Sequence, residues 1–239
     1  MEQVLEQTLD VAPSIADAEG LLSYPGAFHV FQDLAGTHAE RLGVGLGAMA
    51  EKSLFWLTVR TKIVFLSRPA LGQTVTLRTW PEKPGALRCN RSYEIARGGE
   101  ILIRGRTEWA VMNTETHALT PAAGLFPAEL PFDRPAACPE AFARIPDKFE
   151  GAELFDTYRV RSTDIDVGGH MNNAAYLRAL FGAFSNREIQ ALRPRCADVS
   201  FRASCFEGEQ LQFYRRETES GLDLRIARGA DTVLLARLS

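Results

Sequence analysis

The sequence predicts an α+β fold in two similar halves, each a long helix wrapped by an antiparallel β-sheet. Three observations predict it. Apolar residues recur at three- and four-residue steps in two separate segments, the spacing of one helix face. Short runs with strand-like polar and apolar patterning follow each segment. A proline-rich stretch lies between the two halves.

In the first half, Phe28, Phe31, Leu34, Ala35, His38 and Leu42 form one apolar helix face. Pro25 suits the first turn, where its missing N–H costs nothing, and Gly43 is a natural stop. Four strand-like runs follow at 54–67, 73–80, 86–96 and 100–113, and Thr74 to Trp80 alternates as a half-buried strand does. Six of the twelve prolines then fall between 118 and 153, where fixed φ and lost donors disfavour helix and central strand. That stretch reads as an extended surface connector, and residues 126–154 carry six acidic against three basic side chains.

In the second half, a run at 155–163 leads through a turn into a helix from about Asn172 to Ala191, with Tyr176, Leu177, Leu180, Phe181 and Phe184 on its apolar face. Strands are expected near 197–206, 209–217, 221–227 and 231–238. A shift of 136 residues lays Ile63-Val64-Phe65 on Val199-Ser200-Phe201, and Leu71 to Leu77 on Glu207 to Phe213, with Gly72 on Gly208. This is the pattern of an internal repeat. A helix with an apolar stripe must bury it, and a sheet curled around it does so. The result is the hot-dog arrangement, present twice: residues 1–120, a linker at 121–153, and residues 154–239.

Composition narrows the function. A chain of 239 residues, 46% hydrophobic, can bury roughly 70–75% of its unfolded surface. The net charge of −3 argues against nucleic acid as the main partner. No apolar run approaches the ~18 residues of a membrane helix. Glu2, Glu6 and Asp10 occupy the start of the chain, which does not read as a secretory signal, so a cytoplasmic location is expected. The cysteines Cys89, Cys138, Cys196 and Cys205 form no CxxC pair, and no metal-ligand spacing occurs, so neither metal nor cofactor is expected.

The segment Asp164-Ile165-Asp166-Val167-Gly168-Gly169-His170-Met171-Asn172-Asn173-Ala174-Ala175-Tyr176 stands where a strand ends and the second helix begins. Its glycines permit a tight path and close approach of a ligand. Asn172 or Asn173 can cap the helix, whose first N–H groups lie at the positive end of its dipole. A carboxylate, an imidazole and N–H donors on one turn are what hydrolysis of an ester or thioester needs: one group to activate water or attack, others to hold the oxyanion.

Asp-x-x-Gly-His-Met-Asn-Asn-x-x-Tyr, from Asp166 to Tyr176, resembles the signature of hot-dog thioesterases. Val160-Arg161-Ser162-Thr163-Asp164-Ile165-Asp166, Leu54-Phe55-Trp56-Leu57, Gly72-Gln73-Thr74-Val75 and Thr79-Trp80-Pro81 resemble, more narrowly, the acyl-acyl-carrier-protein thioesterases of bacteria and plastids. The resemblance implies catalytic roles for Asp166 and His170, with N–H groups near Asn172 and Asn173 polarising the thioester carbonyl. It also marks two departures. Family members usually carry asparagine at the position of Gly168 and glutamate at that of Ser204.

By the same resemblance, the substrate is a fatty acyl chain on an acyl carrier protein, released as free acid. The chain needs an apolar slot, worth roughly 0.8 kcal/mol per CH₂ buried. The first half keeps a helix and sheet but lacks an Asp-x-x-Gly-His turn, which makes it the expected wall. Carrier proteins are acidic, so Arg187, Arg193, Arg195, Arg202, Arg215 and Arg216 form a candidate docking patch. Alternative readings are an acyl-coenzyme A thioesterase or a catalytically weakened acyl-binding protein. With two hot-dog units in one chain, a monomer is as compatible as a homodimer. Cys205 is expected to be an inert buried thiol on the apolar strand face of Val199, Phe201 and Ala203; His38 is expected in the core.

Overall fold

A computed structural model describes residues 2–239. The chain divides into two compact units, one ending at Glu140 and the other running Ala141–Ser239. The first contains β1 (Leu5–Asp10), a 3-10 turn at Pro13–Ile15, α1 (Tyr24–Arg41), α2 (Leu46–Ala50), β2 (Leu54–Phe65), β3 (Thr74–Pro81), β4 (Cys89–Arg97), β5 (Glu100–Asn113) and the short β6 (Leu119–Thr120). Its strands pair antiparallel in the order β1-β3-β4-β5-β2, with β6 against the end of β5. The second contains β7 (Glu153–Arg159), a 3-10 turn at Ser162–Asp164, α3 (Asn173–Gly182), α4 (Asn186–Leu192), β8 (Cys196–Phe201), β9 (Gln210–Thr218), β10 (Gly221–Arg228) and β11 (Asp231–Leu238). These pair antiparallel as β8-β11-β10-β9-β7. Each unit is a hot-dog domain.

Local chemistry sets the ends of α1. Ser23 Oγ accepts the Gly26 N–H at 3.0 Å, Pro25 sits in the first turn, and Gly43 at φ +69° ends the run. Its apolar stripe is buried against the sheet. Phe31 stacks on Tyr93 of β4 with ring centroids 4.6 Å apart, over Gly105 of β5. A methyl at Gly105 would stand 2.5 Å from Phe31 Cε2, so this glycine makes room for the ring.

The 136-residue repeat has a structural counterpart. Gly72 and Gly208, at φ +77° and +87°, turn the chain into β3 and β9. Gly72 N–H donates to Val11 O and Gly208 N–H to Val160 O, both at 2.9 Å. Val11 and Val160 in turn donate to Gln73 O and Glu209 O.

Four expectations need correction. The helix expected over 172–191 is two helices, because Ser185 and Glu188 form a capping box that starts α4 anew. The five-residue α2 was not expected, since it is too short to show periodicity; Glu40 Oε1 holds its first N–H at 2.7 Å. Strand β8 ends at Phe201, so Ala203 and Cys205 are not on its face: Arg202 and Ala203 both donate to Val233 O, and the ladder stops there. The proline-rich stretch is not simply a surface connector. Ala122, Phe126 and Leu130 join a core cluster with Leu42, Val44, Met49, Leu54, Cys89 and Val111, because the apolar side chains between the prolines have a cleft to fill.

Gly105→Ala should lower the stability of the protein by about 1–3 kcal/mol through overpacking, read as a lower midpoint of urea unfolding. Phe31→Leu in the same chain should recover part of the loss; purely additive losses would show that the ring is not the obstacle.

Candidate active site

The second unit enters α3 through a turn built on Asp166. Asp166 Oδ1 accepts the Gly168 N–H at 2.8 Å, and Asp166 O accepts the Gly169 N–H at 3.0 Å. Gly169 takes φ +78°, which a side chain would resist. The turn closes through Asp166 N–H to His170 O at 3.1 Å and Asn172 N–H to Asp164 O at 2.8 Å. Of the two candidate caps, Asn172 is the one used: its Oδ1 accepts the Ala174 N–H at 2.8 Å, and its Nδ2 donates to Asp166 Oδ2 at 3.2 Å. Asn173 is the first residue of the helix.

The Asp166 carboxylate is thus held by one donor on each oxygen and remains about a third exposed. The His170 ring is equally accessible, with Nδ1 3.9 Å from Asp166 Oδ1. Both groups border one small space above Gly168. A Cβ there would lie 3.0 Å from Asp166 Oδ1 and 3.1–3.3 Å from His170 Cε1 and Nε2. The glycine leaves open a spot that carboxylate and imidazole both reach.

The expected N–H donors differ from what the turn offers. The amides of Gly168, Gly169, Asn172 and Ala174 all have acceptors within the turn. That of Val167, a residue 87% exposed, has no hydrogen bond to any described residue. The helix dipole still places positive potential at this end of α3.

Beside the turn runs the segment after β8. Met171 N–H donates to Cys205 O at 2.8 Å, which brings the exposed Ser204, the residue before Cys205, beside the turn in space. Arg228 pins this segment by donating to Ser204 O and pairing with Glu209 at 3.0 Å. Cys205 is fully buried, and burial pushes its thiol up, so it is no nucleophile.

The same turn occurs in the first unit, without the histidine. Asp17 Oδ1 accepts the Glu19 N–H at 2.9 Å, Asp17 N–H donates to Leu21 O, and Gly20, at φ +69°, donates to Asp17 O. Ser23 stands where Asn172 does, and Leu22 N–H donates to Pro69 O as Met171 does to Cys205 O. Two side chains reverse the chemistry. Leu21 replaces the histidine, and Arg68, at the position matching Ser204, pairs with both Asp17 and Glu19 and stacks 4.5 Å from the Tyr24 ring. One turn is neutralised, while the other keeps its carboxylate beside a histidine. The shared Asp-x-x-Gly spacing at Asp17 and Asp166 was the legible signal.

The first unit also holds a cavity of about 640 Å³ between α1, α2 and the sheet, within the usual range for small-molecule sites. Val44, Met49, Phe55, Trp56, Trp109 and Phe126 give it apolar walls, and Arg91 reaches it from β4. His38 is buried, as expected. Its Nδ1 accepts from Arg91 Nη1 at 2.9 Å, and it is hydrogen-bonded to the Glu2 backbone. Burial first, then the Arg91 charge, lower its pKa to about 4, so it is neutral near pH 7.

Of the arginine patch, Arg215 is paired with Glu153 and Glu188, and Arg216 with Asp223. Arg187, Arg193, Arg195 and Arg202 stay exposed. Among the described residues no group of three or more His, Cys, Asp or Glu could hold a metal, and no helix is long and apolar enough to cross a membrane.

The profile of the acyl-ACP thioesterase N-terminal domain matches residues 2–123, and that of the C-terminal domain matches residues 148–234. A chloroplastic acyl-[acyl-carrier-protein] hydrolase of Cuphea viscosissima is 26% identical over 226 residues, 86% of this chain and 55% of that protein. A chloroplastic oleoyl-acyl carrier protein thioesterase of Arabidopsis thaliana is 23% identical over 194 residues, 74% of this chain and 54% of that protein. The chain therefore spans about half the length of the curated relatives it matches. Among solved structures, an acyl-ACP thioesterase from Bacteroides thetaiotaomicron superposes with a TM-score of 0.88 at 20% identity, covering 99% of this chain and 97% of that one. A 12:0-ACP thioesterase from Umbellularia californica gives 0.83 at 21% identity, covering 100% and 97%. Both share the fold.

His38 couples stability to pH. The unfolded histidine takes up its proton near 6.5, the folded one only near 4, so stability should fall as pH drops through that window. The loss should total on the order of 3 kcal/mol at its limit, judged from a shift from 6.5 to about 4. His38→Gln, which keeps an acceptor for Arg91 without titrating, should flatten the dependence of the urea midpoint on pH between those values. An unchanged slope would place the titration elsewhere.

Proposed function

The chain belongs to the acyl-ACP thioesterase family, and we propose that it hydrolyses the thioester of a fatty acyl chain carried on an acyl carrier protein. Water adds to the thioester carbonyl, the carbon–sulfur bond breaks, and the products are the free acid and the carrier thiol. The observation that carries this reading is the turn built twice: Arg68 neutralises it at Asp17, whereas at Asp166 the carboxylate stands beside His170 over the open space at Gly168.

In this mechanism Asp166 removes the proton from the attacking water, or attacks the carbonyl itself to form a transient anhydride. Gly168 N–H and Asn172 Nδ2 hold the carboxylate in position, leaving lone pairs for that work. His170 orients the thioester and stabilises developing charge. The oxyanion meets the positive end of α3 and the uncommitted Val167 N–H. Asn172 supports the site as cap and carboxylate partner. Gly168 and Ser204, which lack the polar side chains usual in the family, leave fewer groups to share the chemistry.

The acyl chain is assigned to the apolar cavity of the first unit. The carrier is assigned to the exposed Arg187, Arg193, Arg195 and Arg202.

Free-thiol release from matched acyl chains on carrier protein and on coenzyme A tests the reading. The carrier-linked substrate should be turned over with the higher kcat/KM. Asp166→Asn should lose at least about a hundredfold in kcat, and His170→Ala should also be impaired. Wild-type-like turnover by Asp166→Asn would overturn the mechanism. Gly168→Asn together with Ser204→Glu should raise kcat. Charge reversal at Arg193 and Arg195 should lower kcat/KM for the carrier-linked substrate only; equal effects on both substrates would remove the docking patch.

A further inference from the structure

Arg91 is 6% exposed, yet among the described residues no carboxylate pairs with it. Its hydrogen bonds to His38 Nδ1, at 2.9 Å, and to Thr79 Oγ1, at 3.3 Å, both leave from Nη1. Nε and Nη2 make no hydrogen bond to a described residue, and Arg91 lines the cavity. A buried cation without a counter-charge is costly, and a neutral imidazole does not supply one. Glu82, which also acts on neighbouring Cys89, is engaged by Arg106 and Ser92.

A second donor stands in the same wall. Trp109 Nε1 is buried beside the Tyr93 hydroxyl, without a well-formed hydrogen bond. The wall therefore holds a charged donor whose remaining nitrogens are unspent, set among apolar side chains, with the Gln32 amide also lining the cavity. The matching ligand is an aliphatic chain that ends in acceptor oxygens.

We propose that the cavity binds an aliphatic chain with a carboxylate terminus, the carboxylate lying on Arg91 and the chain along the apolar walls. The proposal rests on the assignment of the cavity as an acyl slot and goes beyond it, because a plain hydrocarbon tail would leave Arg91 unpaired. Two sources share this chemistry: free fatty acid returning head-first as product, and an acyl substrate whose far end carries a second carboxylate.

Isothermal titration calorimetry of the full chain with decanoate, decanol and decyltrimethylammonium, all below their micellar concentrations, tests it. Decanoate should bind at least tenfold more tightly than decanol, and the cation should bind worst. The cation arm is needed because Asp33 and Glu40, exposed residues of α1, also line the cavity. Arg91→Met should reduce decanoate to the affinity of decanol while decanol binding persists, and Arg91→Lys should keep part of the preference. Equal affinities for decanoate and decanol in the unaltered protein, or tighter binding of the cation, would overturn the proposal whether or not the variants fold. If none of the three binds, the acyl-slot assignment falls with it; if decanol alone matches decanoate, only the carboxylate claim falls. Competitive inhibition of decanoyl-carrier hydrolysis by decanoate, lost in Arg91→Met, assigns the carboxylate to product. Faster hydrolysis of a chain with an ω-carboxylate, likewise lost, assigns it to substrate. The absence of both effects overturns the proposal.

Discussion

An aspartate carboxylate folded back onto the amide two residues ahead is the constraint on which both units depend. It forces the tight turn at Gly20 and at Gly169, and so fixes where α1 and α3 begin. The neighbouring strand end is tied to the same place through Leu22 and Met171. A turn held this way cannot move its carboxylate far without losing the helix start. Function can then differ between the units only through the side chains mounted on the turn. Arg68 and Leu21 close one version, and Ser204 and His170 leave the other open. The duplication thus separates two duties of one scaffold: a structural aspartate in the first unit and a reactive one, as proposed, in the second.

The sequence made the elements of this fold legible because their patterns are long and regular. Thr74 to Trp80 alternates over a full strand, and the stripe from Phe28 to Leu42 covers four turns of helix. What it concealed was short or depended on tertiary contacts. The five residues of α2 cannot show a period. Its position depends on the Glu40 carboxylate and on Met49 filling a cluster completed by Phe126 and Leu130, from beyond the last long strand. The break at Ser185 is written in the Ser-x-x-Glu spacing, yet the apolar periodicity runs up to it through Phe184 and masks it. At the site, the motif identified Asp166 and His170 as a pair. Which amides of the turn are spent was not legible, because that is decided by carbonyls such as Asp164 O, whose placement no residue type announces.

Polar groups in the first unit follow the same logic of local sufficiency. His38 is neutral because burial and Arg91 both disfavour its charge, and in that state Nδ1 can accept from the guanidinium. The pair is therefore donor to acceptor, not ion to ion, and it leaves the net charge of Arg91 uncompensated inside apolar walls. A sheet that could have carried an apolar side chain at this β4 position instead carries one whose remaining donors need oxygen. Stability alone does not account for that choice, since replacing buried charge with packed hydrocarbon is often neutral or favourable.

The departures at Gly168 and Ser204 can be weighed by the same comparison of units. At the position of Ser204, the first unit shows what a charged residue can do: Arg68 reaches the carboxylate across the turn and takes its charge. A residue at this position is therefore within reach of the aspartate, and its sign decides whether the carboxylate is quenched or left available. Serine does neither; it contributes a hydroxyl and no charge. At Gly168 the missing side chain widens the space that Asp166 and His170 border, since even a Cβ would touch both. A larger opening admits water and a thioester with less exact placement. Because positioning governs how much of the barrier a fixed carboxylate can remove, the expected cost falls on turnover more than on the capacity to bind an acyl chain.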